Sequence, residues 1–81
     1  MSYIVKDSSG AEIRNVYGVS QGKVLGDKVC DVPQGTEIKT IGFPFQCFTD
    51  ASLSEKTDVI QVDNVKSGSG YVRLDVLKQT E

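Results

Sequence analysis

VPQGTEIKTIG, residues 32–42, joins a turn motif to a short β-strand pattern. Pro33 fixes its own φ at about −65° and suits the second position of a type I turn, while Gly35 suits the fourth position. The turn is therefore predicted to join the strand Lys28–Val32 to the strand Thr36–Ile41 as a β-hairpin.

Alternation along the second of these strands predicts which side chains are buried. Glu37 and Lys39 share one face and Ile38 lies on the other, so Ile38 is predicted to point into the core. Ile41 is out of phase with Ile38, and the glycine that follows it predicts a bulge or a sharp bend at Gly42.

The second half of the chain predicts one more strand and a closing segment. Asp58–Val65 is rich in β-branched residues, and its Ile60 and Val62 share a face. A turn over Lys66–Gly70 then leads into the strand Tyr71–Arg73. The next four residues, LDVL, have the length of a single 3₁₀ turn whose leucines would cover one end of a barrel.

The remaining segments are predicted from turn-forming and strand-forming residues. Tyr3–Lys6 and Ala11–Tyr17 are β-prone and flank four turn formers, which predicts a first hairpin. The three glycines of Gly18–Gly26 predict a loop that leads into a bent strand. Only Asp50–Thr57 has helical character, so the chain is predicted to be all-β with at most a short helical turn.

Size and composition limit the classes of function. A chain of 81 residues forms one domain, residues 1–81, and buries roughly two thirds of its unfolded surface, which disfavours a large internal cleft. Hydrophobic residues make up 38%, charged residues 25%, and no apolar run is long enough to cross a bilayer. The N-terminal residues carry no secretory signal pattern, so we expect a soluble cytoplasmic protein without membrane association. The net charge is −2 and the nine basic residues are scattered, which argues against strong nucleic-acid binding.

Four segments resemble successive structural elements of the bacterial SH3-like (SH3b) barrel domains. Ile13–Arg14 matches an early strand, Pro33–Thr36 the turn, Asp58–Val62 the middle strand, and Gly68–Leu77 the closing segment. The resemblance implies a small SH3-like β-barrel of five to six short antiparallel strands with a 3₁₀ turn near the C-terminus. It implies fold more than function, because small barrels host unrelated activities.

The chain departs from the family pattern in two places. It contains no tryptophan, and Thr57–Val59 stands where the family has a Trp, so the aromatic groove of the family is in doubt. The stretch Phe43–Thr57 is longer than the usual loop and contains all three phenylalanines. Recognition is therefore expected to depend on this stretch and on the glycine loops.

The residue types disfavour catalysis, cofactor binding and metal binding. The chain has no histidine, which is the commonest general base, the commonest metal ligand and a member of the usual catalytic triads. Cys30 and Cys47 are not in a Cys-x-x-Cys spacing, and we expect two buried or half-buried free thiols rather than a disulfide or half of a zinc site. Asp58, Asp63 and Asp75 are expected to be solvated charges at strand ends.

Two groups of residues are candidates for binding. Phe43, Phe45 and Phe48 either fill the core or form an exposed patch for a partner, and Pro44 favours an edge or a loop. If two chains share this patch, it also predicts a homo-oligomer.

The second group is Arg14, Asn15, Tyr17 and Arg73, with Tyr71 interpreted as structural. The leading hypothesis is a non-catalytic binding module that recognises a protein partner, as a stand-alone accessory or inhibitor protein of the kind that phages encode. One alternative is an oligomer that sequesters a nucleotide-like small molecule at its subunit interfaces, through these four residues and the backbone amides of the glycine loops. Another is a cell-wall-targeting module of the SH3b type.

Overall fold

The computed structural model describes residues 2–63 and 70–80, and most of this length is β-strand. Within these two ranges the chain forms seven strands and one 3₁₀ turn, Leu74–Val76. The strands are β1 Ser2–Val5, β2 Ala11–Val19, β3 Gly22–Val32, β4 Glu37–Phe48, β5 Lys56–Val62, β6 Tyr71–Arg73 and β7 Leu77–Gln79. No helix in the described ranges is long and apolar enough to span a membrane.

Five strands, β2 to β6, close into a ring. β3 pairs with β2, β2 with β6, β6 with β5, and β5 with β4, all of them antiparallel. The ring closes where Val24 of β3 meets Phe48 of β4 in a parallel bridge. β1 lies outside the ring between β4 and β7. The all-β prediction and the predicted 3₁₀ turn are thus confirmed.

The predicted first hairpin is wrong, because β1 does not pair with β2. Both edges of β1 are occupied, one by β4 and the other by β7, which leaves no edge for β2. The turn between β1 and β2 instead brings Gly10 against the end of β3. Gly10 has a φ of +83°, and a Cβ on it would lie 2.4 Å from the carbonyl oxygen of Val32, so only glycine fits here.

The turn after β3 forms, but its type and its pairing differ from the prediction. The Thr36 N–H donates to the Pro33 carbonyl oxygen at 3.2 Å, so Pro33 is the first turn residue. Gly35 is the third and has a φ of +88°, which is type II geometry rather than type I. The turn does not join a hairpin. It hydrogen-bonds to β1 instead, with the Gly35 N–H donating to the Val5 carbonyl oxygen at 2.9 Å.

The predicted glycine loop is also wrong, since Gly18 and Gly26 lie inside strands. β2 and β3 form one long hairpin that turns at residues 20–21, with Val19 opposite Gly22. At Gly26 the missing side chain serves packing. The Tyr17 ring lies over Gly26, where a Cβ would come within 3.2 Å of it.

Two further local predictions have different outcomes. The bend at Gly42 is confirmed by its φ of +74° and by a register shift between Ile41 and Phe45. The segment 50–57 is not helical. It forms a turn in which the Leu53 N–H donates to the Asp50 carbonyl oxygen at 3.2 Å, followed by the start of β5. Residues 64 and 65 of the predicted strand, and 66–69 of the predicted turn, lie outside the described residues.

The apolar side chains form two clusters, and β5 contributes to both. The larger cluster consists of nine buried residues: Tyr3, Val5, Ala11, Ile13, Ile38, Ile60, Val62, Val72 and Leu77. The smaller cluster has three buried residues, Leu25, Cys47 and Val59, with Val16, Phe45 and Tyr71 half-buried around them. Burial of Ile38 and the shared face of Ile60 and Val62 are confirmed. Because Val59 and Ile60 are adjacent in β5, they point to opposite faces of the sheet, and both are fully buried.

Candidate functional site

A groove of about 480 Å³ opens beside the pairing of β2 with β6. It lies between the turn that follows β1, the strands β2, β3 and β6, and the 3₁₀ turn. Arg14 and Tyr71, which face each other across β2 and β6, both line it. Leu25 and Tyr71 of the smaller cluster supply apolar wall.

Charged side chains dominate the polar lining of this groove. Four are carboxylates and two are guanidinium groups, which leaves the lining with a net charge of −2. These residues are Asp7, Glu12, Asp31, Asp75, Arg14 and Arg73. An anionic ligand would therefore meet more like charges than opposite ones.

Arg14 is held by partners on all three of its nitrogens. Its Nε and Nη2 donate to Oε1 of Glu12 at 3.1 and 2.9 Å, and its Nη1 donates to the Gly26 carbonyl oxygen at 2.9 Å. Glu12 lies two residues before Arg14 on the same face of β2, so strand geometry brings the pair together. These contacts make Arg14 a fixed part of the groove wall.

Arg73 is less constrained. Its Nη2 donates to Oδ2 of Asp75 at 2.6 Å, and among residues 2–63 and 70–80 nothing accepts a hydrogen bond from its Nε or Nη1. Its side chain is partly exposed. Nε and Nη1 of Arg73 therefore have no hydrogen-bond acceptor among the described residues.

The carboxylates each use one oxygen within the protein. Oδ2 of Asp31 accepts from Nζ of Lys28 at 3.0 Å, and this contact and the charge of Asp31 raise the pKa of Lys28. Oδ1 of Asp7 accepts from the hydroxyl of Ser9 at 2.6 Å and from its N–H at 2.9 Å. These two bonds, the hydroxyl first, lower the pKa of the Asp7 carboxyl below its ordinary value of 3.8. Oε2 of Glu12, Oδ1 of Asp31, Oδ1 of Asp75 and Oδ2 of Asp7 accept no hydrogen bond from any described residue.

The structure assembles only half of the predicted site of Arg14, Asn15, Tyr17 and Arg73. The two arginines line the groove, as does Tyr71, which is the pairing partner of Arg14 in β6. Asn15 and Tyr17 do not line it. Both are exposed, and the Tyr17 ring, 45% exposed, lies over Gly26 further along the hairpin.

The three phenylalanines do not share one surface. Phe43 is 88% exposed, so the core interpretation is wrong for it. Phe45 is half-buried in the smaller cluster, with its ring centroid 5.6 Å from that of Tyr71 in an edge-to-face arrangement. Phe48 is half-buried under the Lys56 ammonium group, 5.1 Å from the ring centroid. In β4 the exposed large hydrophobic residues are Phe43 and Ile41, and the latter is 46% exposed.

The cysteines are free thiols in two different environments. Cys47 is buried in the smaller cluster, where burial raises the pKa of its thiol and the charge of Arg73 partly opposes that effect. Cys30 is exposed, so the prediction of a buried or half-buried thiol is wrong there. In the part of the chain that the structure describes, no group of three or more histidine, cysteine or acidic side chains is placed to hold a metal ion.

Sequence reasoning missed the acidic half of the groove. Asp7, Glu12 and Asp31 were not singled out, and Asp75 was interpreted as a solvated charge. The available signal was the spacing of opposite charges two residues apart, Glu12 with Arg14 and Arg73 with Asp75, which form ion pairs at 2.9 and 2.6 Å. In β2 this spacing places both side chains on one face of the strand.

A scan against protein-family models finds no match for this chain, and searches among curated proteins and among solved structures also find none.

Proposed function

We propose that this chain is a non-catalytic binding module that recognises a protein partner through a segment of the partner bound in the groove. The observation that carries the proposal is the mixed lining of the groove. Arg73 offers open donors and four carboxylates offer open oxygens, beside the apolar surface of Leu25 and Tyr71. Binding sites typically combine a concave, partly apolar surface with a few placed polar groups.

The chemistry of the groove supports binding rather than catalysis. The chain has no histidine, and each carboxylate in the groove already accepts a hydrogen bond from a cation or a serine. General acid–base catalysis works best with a group that titrates near the operating pH. Carboxylates that already accept hydrogen bonds from cations and a hydroxyl suit recognition of a partner.

The fold proposal is an SH3-like barrel. The closed ring of five strands and the 3₁₀ turn before the last strand support it. In such a barrel the strands provide a stiff frame, and the groove lies where the turn after β1 and the 3₁₀ turn meet the ring. We also propose that the protein acts in the cytoplasm as an accessory or inhibitor protein.

Peptide selection on the immobilised protein tests the proposed function. Peptides selected from a random displayed library should bind the wild-type protein and lose most of their affinity for Asp31→Lys, which reverses one charge of the groove. Asp58→Lys is the matched control, because Asp58 is an exposed carboxylate of β5 outside the groove. Selected peptides that bind all three proteins equally would contradict the proposed site.

A second candidate function is sequestration of a nucleotide-like small molecule by an oligomer. It is favoured by the presence of Arg14 and Arg73 in the same groove. The net charge of the lining and the engaged nitrogens of Arg14 oppose it. A rise in melting temperature with a nucleotide library, lost in Arg73→Ala, would support this candidate over a partner segment, and sedimentation with peptidoglycan tests the cell-wall alternative.

Homo-oligomerisation remains part of the proposal, and Ile41 and Phe43 are the exposed apolar residues of β4 available for it. Light scattering on the wild type and on Phe43→Ser tests this point. A monomer in both cases would remove it.

A further inference from the structure

We infer that the groove takes a basic side chain, lysine or arginine, carried by an extended segment of the partner. The inference rests on the proposed function and specifies the chemical class of its ligand. It follows from the size of the groove, the hydrogen-bonding groups it leaves open, and its apolar wall.

The groove has the size of a site for a side chain together with its flanking backbone. Its 480 Å³ lies in the range of about 300–1,000 Å³ that ligand pockets occupy. A simple metal ion would leave most of this space unfilled. An organic group of several atoms is therefore the better match.

The open hydrogen-bonding groups in the groove are mainly acceptors. Four carboxylate oxygens, one on each acidic residue of the lining, have no donor among residues 2–63 and 70–80, whereas the only guanidinium nitrogens of the lining without an acceptor in these ranges are Nε and Nη1 of Arg73. Lysine and arginine side chains are donors only, and their hydrogen bonds to carboxylates are stronger than neutral ones. A basic side chain therefore satisfies groups that an acidic or a neutral one would leave open.

The two arginines have separate roles in this arrangement. Arg14 directs all its nitrogens to Glu12 and to the Gly26 carbonyl oxygen, so it holds Glu12 in place rather than binding an anion. The open nitrogens of Arg73 suit a neutral acceptor such as a backbone carbonyl oxygen of the bound segment. Beside them, Leu25 and Tyr71 offer apolar surface to the methylene groups of a long basic side chain.

Fluorescence anisotropy with three labelled heptapeptides tests the inference. All have glycine and serine at four positions, and lysine, glutamate or glutamine at the other three. The lysine peptide should bind the full chain at least tenfold more tightly than the glutamate peptide, and its affinity should fall when NaCl is raised from 20 to 200 mM, because solvated charges are screened.

Substitutions locate the binding. Asp31→Asn and Asp75→Asn should each lower the affinity for the lysine peptide about fivefold to tenfold, since each replaces a charged carboxylate that has an open oxygen by a neutral amide. Asp58→Asn removes an equivalent exposed charge outside the groove and should leave the affinity unchanged. Circular dichroism of each variant confirms that the protein is folded.

The outcomes separate this inference from the proposed function. Tighter binding of the glutamate peptide, or lysine-peptide binding that Asp31→Asn, Asp75→Asn and Asp58→Asn weaken equally, would overturn the basic ligand class. If library-selected peptides nevertheless lose affinity for Asp31→Lys alone, the proposed function stands with another ligand class. If neither the selected peptides nor the three heptapeptides bind in the groove, both proposals fail.

Discussion

The two apolar clusters differ in how completely the sheet closes over them. The larger cluster is covered by β1 and β7 as well as by strands of the ring, and its nine core residues are buried. The smaller cluster has three buried residues, and two of its members, the buried Leu25 and the half-buried Tyr71, also line the groove. In a domain of this size the available apolar surface closes one core well, and the proposed recognition of a partner takes place beside the second, less complete cluster.

The largest expected difference is between two isoleucines. Ile60 is fully buried in the larger cluster and Ile41 is 46% exposed. Ile60→Ala should lower the free energy of unfolding by about 3 kcal/mol, because it leaves a cavity in a packed core. Ile41→Ala, the same chemical change, should cost less than about 1 kcal/mol. Urea unfolding followed by circular dichroism measures both, and similar losses would show that the larger cluster is not the main core.

A second test concerns the turn that attaches the larger cluster to β3. Gly10→Ala should lower the free energy of unfolding by about 2 kcal/mol, because alanine is strained at a positive φ and its Cβ would clash with the Val32 carbonyl. Gly18→Ala is the control. Its φ lies outside the left-handed region and its Cβ would meet nothing within 4 Å, so little change or a slight gain is expected. Equal stability of the two variants would contradict the close approach at Gly10.

The smaller cluster is tested by two phenylalanines of β4. Phe45→Ala should lower the free energy of unfolding by about 1.5 kcal/mol, because it removes two contacts of the ring. One is the edge-to-face contact with Tyr71, and the other is the cation–π contact with the Lys23 ammonium group, 5.1 Å from the ring centroid. Phe43→Ala should cost less than about 0.5 kcal/mol, because its ring is 88% exposed. A larger loss in Phe43→Ala, measured by the same urea unfolding, would indicate that Phe43 packs against another copy of the chain.

The smallest expected effect is the pH dependence from Asp7. Its pKa is lowered in the folded state, so its contribution to stability is present above the ordinary value of 3.8 and is lost as the pH falls through the lowered pKa. Asp7→Asn should therefore flatten the acid limb of the stability profile below about pH 4. Ser9→Ala removes the main cause of the shift and should change the slope in the same direction. An acid limb identical in wild type and both variants would contradict this assignment.

The predictable parts of the site and the fold were those that depend on neighbours in sequence. Alternation identified Ile38, Ile60 and Val62 as core residues, and the Gly42 bend followed from a phase change. Arg14 and Arg73 were identified as candidates for binding. The acidic lining was not identified, because nothing in the sequence distinguishes Glu12 and Asp31 from ordinary solvated charges. They become neighbours only through the pairing of β2 with β3.

The sequence by itself determined the all-β character, the turns at residues 7–10 and 33–36 and the faces of several strands, because these depend on local conformational preference and on alternation. Tertiary structure alone decided which strand pairs with which. It placed β1 between β4 and β7 rather than beside β2, and it closed the ring through Val24 and Phe48. Strand edges have backbone donors and acceptors of similar chemistry, so pairing is selected by the burial of side chains from distant parts of the chain. The groove is a product of that selection, since its walls come from segments between residues 7 and 76 that only the closed ring brings together.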